Sequence, residues 1–472
     1  MGETEITQMT ALELAAAIRD RAISPSEVME ATLDRIDAVN PTLNAVIWRN
    51  DAEALQHAET ADQTVVHTPP EELPPFFGVP IPIKDLTEVE GWPITYGSRA
   101  VSGKVSIESE PVVEAFQQAG FILTGRTNTP EFGPITVAEN LRYGLSRNPW
   151  NPQLTPGGSS GGAAAAAAGG MFAVAHGNDG GGSLRIPASC CGLVGLKVSR
   201  GRVPSLQMNW EGGSVEGVLT RDVASTAAIL DLISGPDMAQ WYNAPKPERP
   251  FFSELGLPLG PIRIGVVDAA PFGLPVAEEC REATRAAASL LERLGHHLRP
   301  ASLSIPDEVL AAFLQVVNSG LADYDFDFEQ TEPHIRASVQ AARELDSLSY
   351  VRAVHQLQRA TRTFIASWGD EYDILLTPTM TIPPPIAGTV LEATHQSAST
   401  GAPALEVFQM AAFTAMFNMF GQPAISLPIH VTEGGVPIGV QLVGAPFGEA
   451  LLLRLAAQLE QASGWTDHFP HL

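Results

Sequence analysis

The chain has 472 residues, of which 44 % are hydrophobic and 17 % charged, with a formal net charge of −25. This is globular composition, roughly three domains' worth by length, with a core large enough to need neither disulfides nor a structural metal. The acidic balance argues against a phosphate backbone or an anionic bilayer as the main partner, so neither nucleic acid nor membrane is expected. Cys190, Cys191 and Cys280 form no Cys-x-x-Cys pair, and the chain opens Met-Gly-Glu-Thr-Glu, acidic where a secretion signal is basic. A reducing, cytoplasmic setting is the expectation.

Residues Ala11 to Asn40 read as two helices split at Ser24-Pro25, with Ser24 as cap and Pro25 in the first helical position. Phe77 to Leu86 is an apolar run predicted as a short buried strand. Ile107 to Gly120 reads as a helix and Phe121 to Gly125 as the strand after it. In Thr155 to Gly170, a Gly-Gly-Ser-Ser-Gly-Gly turn precedes six alanines, which predict a helix packed closely on every side. Phe172 to Ala175 returns as a strand. Residues 235 to 275 are rich in Pro and Gly and read as surface loops around a strand at Ile262 to Val267. Helices are predicted at Val276 to His297, Pro306 to Leu321, Tyr350 to Trp368, Ala404 to Phe420 and Ala450 to Ala462, and strands at Tyr372 to Leu376, Ala424 to Pro428 and Gly439 to Val443. This alternation, without a clean linker or an internal repeat, predicts an α/β fold: one large α/β/α sandwich with a central mixed β-sheet flanked by helices, spanning 1–472.

Chemistry-bearing residues start with lysine. The chain has 24 arginines and four lysines, and one of the four, Lys84, lies inside its most apolar strand. Arginine keeps its proton in a protein, whereas a buried lysine can lose one. Desolvation among Val79, Ile81 and Ile83 favours the neutral amine, and a fall from ~10.4 to near 7 corresponds to about 5 kcal/mol. Lys84 is therefore either a general base or the partner of an acid such as Asp85. In Asp179-Gly180-Gly181-Gly182-Ser183 the glycines can turn several amide N–H groups to one side, as a nest for an oxyanion. Ser183, directly after it, is the candidate nucleophile; the plain alternative is a glycine turn before a strand. Neither phosphate-loop pattern is present. Gly157-Gly158-Ser159-Ser160-Gly161 satisfies Gly-x-Ser-x-Gly, the nucleophile elbow of Ser-His-Asp hydrolases, but the segment before it is a poor strand. The eleven histidines show no metal-ligand spacing, so no metal is expected. His176 reads as packing or a supporting hydrogen bond, and Cys190 and Cys191 as small buried residues in a tight strand.

Together these segments resemble the amidase signature family of serine hydrolases. The resemblance rests on Gly157 to Gly162, the small-residue helix, Asp179-Gly180-Gly181-Gly182-Ser183-Leu184-Arg185-Ile186-Pro187-Ala188, Cys191 to Lys197 and Val79 to Asp85. Weaker matches follow at Tyr372 to Pro378 and Gly439 to Leu442. It implies a signature core over about 75–205, preceded by a helical segment over about 1–65 and followed by a variable, pocket-forming region over about 235–350. It also implies a Ser-cisSer-Lys triad of Ser183 as nucleophile, Ser159, preceded by a cis peptide, as bridge and Lys84 as base. Gly180, Gly181 and Gly182 then form the oxyanion hole, Asp179 and Arg185 brace the loop, and no cofactor is used. The family often has Thr or Ser where this chain has Asn178, and Pro where it has Val198; neither departure is expected to touch the triad. Ile186 stands where tRNA-dependent amidotransferase subunits usually carry Gln. The wording is nearer to stand-alone amidases acting on aliphatic and aryl amides, nylon-type oligomers and carbamates. The expected partner is a small amide or carbamate, with a homodimer as a further expectation. Loops Thr129 to Val137 and Val203 to Gly213, with 310–350, should line an apolar pocket through Met208, Trp210, Phe313 and Phe326.

Overall fold

A computed structural model describes residues 3–366, 368–398 and 403–472. Met1 and Gly2 of the acidic opening, and Ser367 within the expected helix Tyr350 to Trp368, lie outside the described residues. The strands in chain order are β1 (Val46–Arg49), β2 (Pro80–Lys84), β3 (Ile122–Thr127), β4 (Glu139–Asn140), β5 (Gly144–Leu145), β6 (Val174–Asp179), β7 (Val194–Lys197), β8 (Val215–Thr220), β9 (Arg263–Val266), β10 (His297–Pro300), β11 (Ile374–Pro378), β12 (Ala424–Val431) and β13 (Pro437–Gly444).

Eight of them form the central sheet in the order β10-β9-β11-β13-β12-β7-β8-β6. Its β10, β9 and β11 run parallel and the remaining neighbours antiparallel, so the sheet is mixed and flanked by helices, as expected. β1, β3 and β2 make a separate three-stranded sheet, and β4 pairs with β5. The lysine strand thus belongs to the small sheet, and the strand that leads to Ser183 is an edge of the large one.

Local chemistry accounts for the elements that carry the site. Ser24 accepts from the Glu27 N–H while the Glu27 carboxylate accepts from the Ser24 N–H, a reciprocal cap that starts helix Pro25–Leu43. Helix Gly161–Ala168 is buried along its whole length. A Cβ at Gly162 would lie 2.4 Å from the Asn128 nitrogen, so only the smallest residues let this helix sit between the two sheets. Ser183 leads into a short helix, Arg185–Cys191, and not into a strand. Cys190 and Cys191 are buried as expected, but at the end of that helix. The single helix expected over Ala404 to Phe420 is two, Leu405–Ala411 and Ala415–Phe420, broken around Thr414. The break brings the Thr414 hydroxyl to the Gly181 carbonyl at 2.7 Å and the Thr414 carbonyl to Arg185 at 3.0 Å. One hydrogen bond to the glycine loop and one from Arg185 meet the chain where the helix stops. No helix among the described residues is long and apolar enough to cross a membrane.

Candidate active site

Lys84, at the end of β2, is fully buried. Its Nζ donates to Ser159 Oγ at 2.7 Å, Ser160 Oγ at 2.9 Å and Asn178 Oδ1 at 2.7 Å. Burial pulls its pKa down to about 7, against the opposing pull of the Glu216 and Asp179 carboxylates. Lys197 is buried as well and is likewise pulled down to about 7 by desolvation, with the charge of Arg185 adding to the effect. Its Nζ, however, donates to the backbone carbonyl of Val198. The shifted pKa is shared by both lysines; only Lys84 reaches the serines. Its neighbour Asp85 accepts from Thr95 and Gly97 and lies 3.7 Å from Arg126, so it is not the partner of the Lys84 amine.

The arrangement around Lys84 follows from strand alternation. Residues 176 and 178 of β6 share a face, and residue 179 points the other way. His176 Nδ1 accepts from the Lys84 backbone N–H at 3.3 Å, and its Nε2 lies 2.7 Å from Glu216 Oε2, which assigns the proton to Nε2. Asn178 takes the Nζ. The sequence reading is corrected here: the substitution at 178 does touch the lysine. Ser160 is a second contact missed in sequence. It opens helix Gly161–Ala168, yet its hydroxyl caps nothing and instead accepts from Lys84 and donates to the Asn178 carbonyl at 3.1 Å. The Gly158–Ser159 peptide is cis.

On the far face of β6, Asp179 is clamped by Arg185 through Nε and an Nη, each at 2.9 Å. Burial would raise this carboxyl, but the charge and hydrogen bonds of Arg185 outweigh it and hold Asp179 well below the usual carboxylate range. Arg185 also donates to Gln441 Oε1 at 2.6 Å and Asn418 Oδ1 at 2.6 Å. The Asp179 carboxylate in turn accepts from the N–H groups of Gly182 (2.8 Å) and Leu184 (3.1 Å), which shapes the loop. This refines the expectation for the three glycines: the Gly182 N–H is already engaged. Among the described residues no acceptor within the chain faces the N–H groups of Gly181 or Ser183.

Gly181 and Ser183 open onto a cavity of about 210 Å³. Its wall is mainly apolar and includes Ile135, Ile186, Trp210, Phe313 and Met416. Trp210 and Phe313 line it as expected. Phe326 does not; its ring packs tilted against Phe132 at 4.9 Å in a separate aromatic cluster. Met208 does not either; its side chain occupies the space beside Gly212. Trp210 lies against both Gly180 and Gly320, where a Cβ would meet the indole at 2.3 and 2.8 Å. Gly180→Ala must therefore displace the indole from the cavity wall. The expected result is a folded protein, less stable by about 1–3 kcal/mol, with kcat/KM for bulky substrates down by about 10–100-fold; thermal unfolding and steady-state kinetics measure the two.

The elbow reading of Ser159 finds no support in this geometry. No strand directly precedes the turn, and among the described residues no histidine bonds to the Ser159 hydroxyl, which accepts from a lysine instead.

The chain belongs to the amidase family, whose model matches residues 27–453. It is a hydrolase of amide bonds. It is 36 % identical, over 97 % of its length and 95 % of the relative, to a 6-aminohexanoate-cyclic-dimer hydrolase of Pseudomonas sp. (strain NK87). It is 31 % identical to an acylamidase of Rhodococcus erythropolis, over 100 % of this chain and 98 % of the relative. A solved structure of 6-aminohexanoate cyclic dimer hydrolase complexed with substrate superposes with a TM-score of 0.90 at 33 % identity, covering 98 % of this chain and 99 % of the other. A bacterial aryl acylamidase of the amidase signature family gives 0.87 at 26 % identity, covering 97 % of each.

Proposed function

We propose that the chain cleaves amides through an acyl-enzyme formed on Ser183, with Ser159 as the proton bridge and Lys84 as the base. One observation carries the reading: a buried amine, with its pKa near neutrality, donates at 2.7 Å to the serine of a cis peptide beside a cavity onto which a second serine opens. In the neutral form Lys84 accepts a proton from Ser159 as Ser159 takes one from Ser183. Ser183 Oγ bonds to the amide carbon, and the carbonyl oxygen becomes an oxyanion. The free N–H groups of Gly181 and Ser183 are its donors. The relay then runs backward, the C–N bond breaks, and the amine leaves with the proton. Water attacks the acyl ester by the same route, releasing the acid and restoring Ser183.

The apolar cavity favours substrates with an extended or aromatic acyl part. The similarity to a cyclic-dimer hydrolase and to acylamidases supports linear and cyclic aliphatic amides together with anilides. Carbamates present the same carbonyl and fit the same chemistry. A hydrolysis panel of small amides, anilides, esters and carbamates, combined with peptide mapping after a fluorophosphonate probe, tests the proposal. Turnover of apolar amides with the label on Ser183 is the expected result; a label on Ser159 overturns it.

A further inference from the structure

Away from the serines and the lysine, the fold gathers three further metal-type donors that are spread over 64 positions of sequence. Glu332 lies just before helix Pro333–Glu344, His334 is in its first turn, and His395 is in the last turn of helix Thr389–Ser397. Glu332 and His334 are buried and His395 is partly exposed. Glu332 Oε2 lies 2.8 Å from His395 Nε2 and 3.8 Å from His334 Nδ1, and one donor atom from each residue falls within 4.8 Å of the others. Both ring nitrogens of His334 are buried without a hydrogen-bond partner. That is a costly state for a polar group unless something else occupies it. The second Glu332 oxygen accepts from the Leu141 N–H at 2.7 Å, which orients the carboxylate with Oε2 toward the imidazoles.

We propose that Glu332, His334 and His395 form a binding site for a zinc-class divalent cation, which ties helix Pro333–Glu344 to helix Thr389–Ser397. Two imidazoles and one carboxylate are the donor set that zinc and its congeners accept, and three protein ligands leave a position for water. Metal–ligand bonds of about 2.0–2.2 Å in a tetrahedron put donor atoms about 3.3 Å apart, inside the range spanned here, so small side-chain shifts close the site. Entry is available, since His334 and Thr394 line the same cavity as Ser183. A cation here satisfies the orphaned imidazole and braces one wall of the acyl cavity.

Full-length protein freed of metal with a chelator is titrated with Co²⁺, whose tetrahedral complexes absorb in the visible, and separately unfolded thermally with and without Zn²⁺. One saturable equivalent of Co²⁺ giving a tetrahedral band, displaced by Zn²⁺, and a Zn²⁺-dependent rise in Tm are expected. His395→Ala and Glu332→Gln should abolish the band and weaken binding by more than about 100-fold, beyond what loss of an outer-shell partner costs. Because His395 also contacts the buried Glu332 carboxylate, each variant is compared with its own chelator-treated form, and its Tm should no longer rise with Zn²⁺. Absence of saturable binding in the parent, or the same band and affinity in both variants, overturns the proposal; the latter would assign the ion to the acidic surface.

Discussion

Ser183→Ala is expected to lower amide turnover by about 10⁶-fold, the loss that follows removal of a hydrolase's nucleophilic serine, while the protein stays folded. The side chain is small, and among the described residues no hydrogen bond from its hydroxyl supports the loop. The turn is held instead by the Asp179 carboxylate on Gly182 and Leu184, by Arg185 and by the Ser160 N–H on the Ser183 carbonyl. None of these uses Ser183 Oγ. Fluorophosphonate labelling should vanish with activity, and the thermal midpoint should move little. A variant that keeps more than about a hundredth of the parent rate would place the nucleophile elsewhere.

Lys84→Met removes the proposed base and keeps the volume and shape of an unbranched chain. A positioned general base contributes about 10²–10⁴-fold, and a loss of that size in kcat is expected. The pH dependence carries the sharper test. In the proposed relay the reactive form is the neutral amine, whose pKa burial pulls down to about 7. Below that value the amine is protonated and cannot accept, so kcat/KM should fall about tenfold per pH unit; above it the profile should level off. In Lys84→Met that acid limb should disappear from the residual rate. Persistence of the same limb would show that another group titrates, and Lys197, with a similarly lowered pKa but no contact with the serines, would be the next to replace.

Much of the site was legible in residue order. A lysine in a chain that otherwise relies on arginine, placed among Val79, Ile81 and Ile83, announces a desolvated amine. Three glycines before Ser183 mark a loop that can turn amides to one side, although the Gly182 N–H proves to be taken by Asp179. The contacts missed at Asn178 and Ser160 were partly legible too. Period-2 alternation puts Asn178 on the face of His176, and a serine before an alanine helix invites a cap that the lysine claims instead. The break at Thr414 was not legible. Nothing in Ala-Ala-Phe-Thr-Ala-Met interrupts a helical pattern; the interruption is set by the glycine loop and Arg185, which arrive from more than two hundred residues upstream.

The sequence by itself determined the family and the amide-hydrolase class, and it marked the side chains proposed to carry the reaction, because burial, glycine content and strand alternation are local properties of the chain. Tertiary structure alone decided which amides of the glycine nest remain free, which aromatics line the cavity, and that Glu332, His334 and His395 meet. Each of these depends on how distant elements dock on one another, and the spacing of residues along a chain carries no information about that docking until the core has formed.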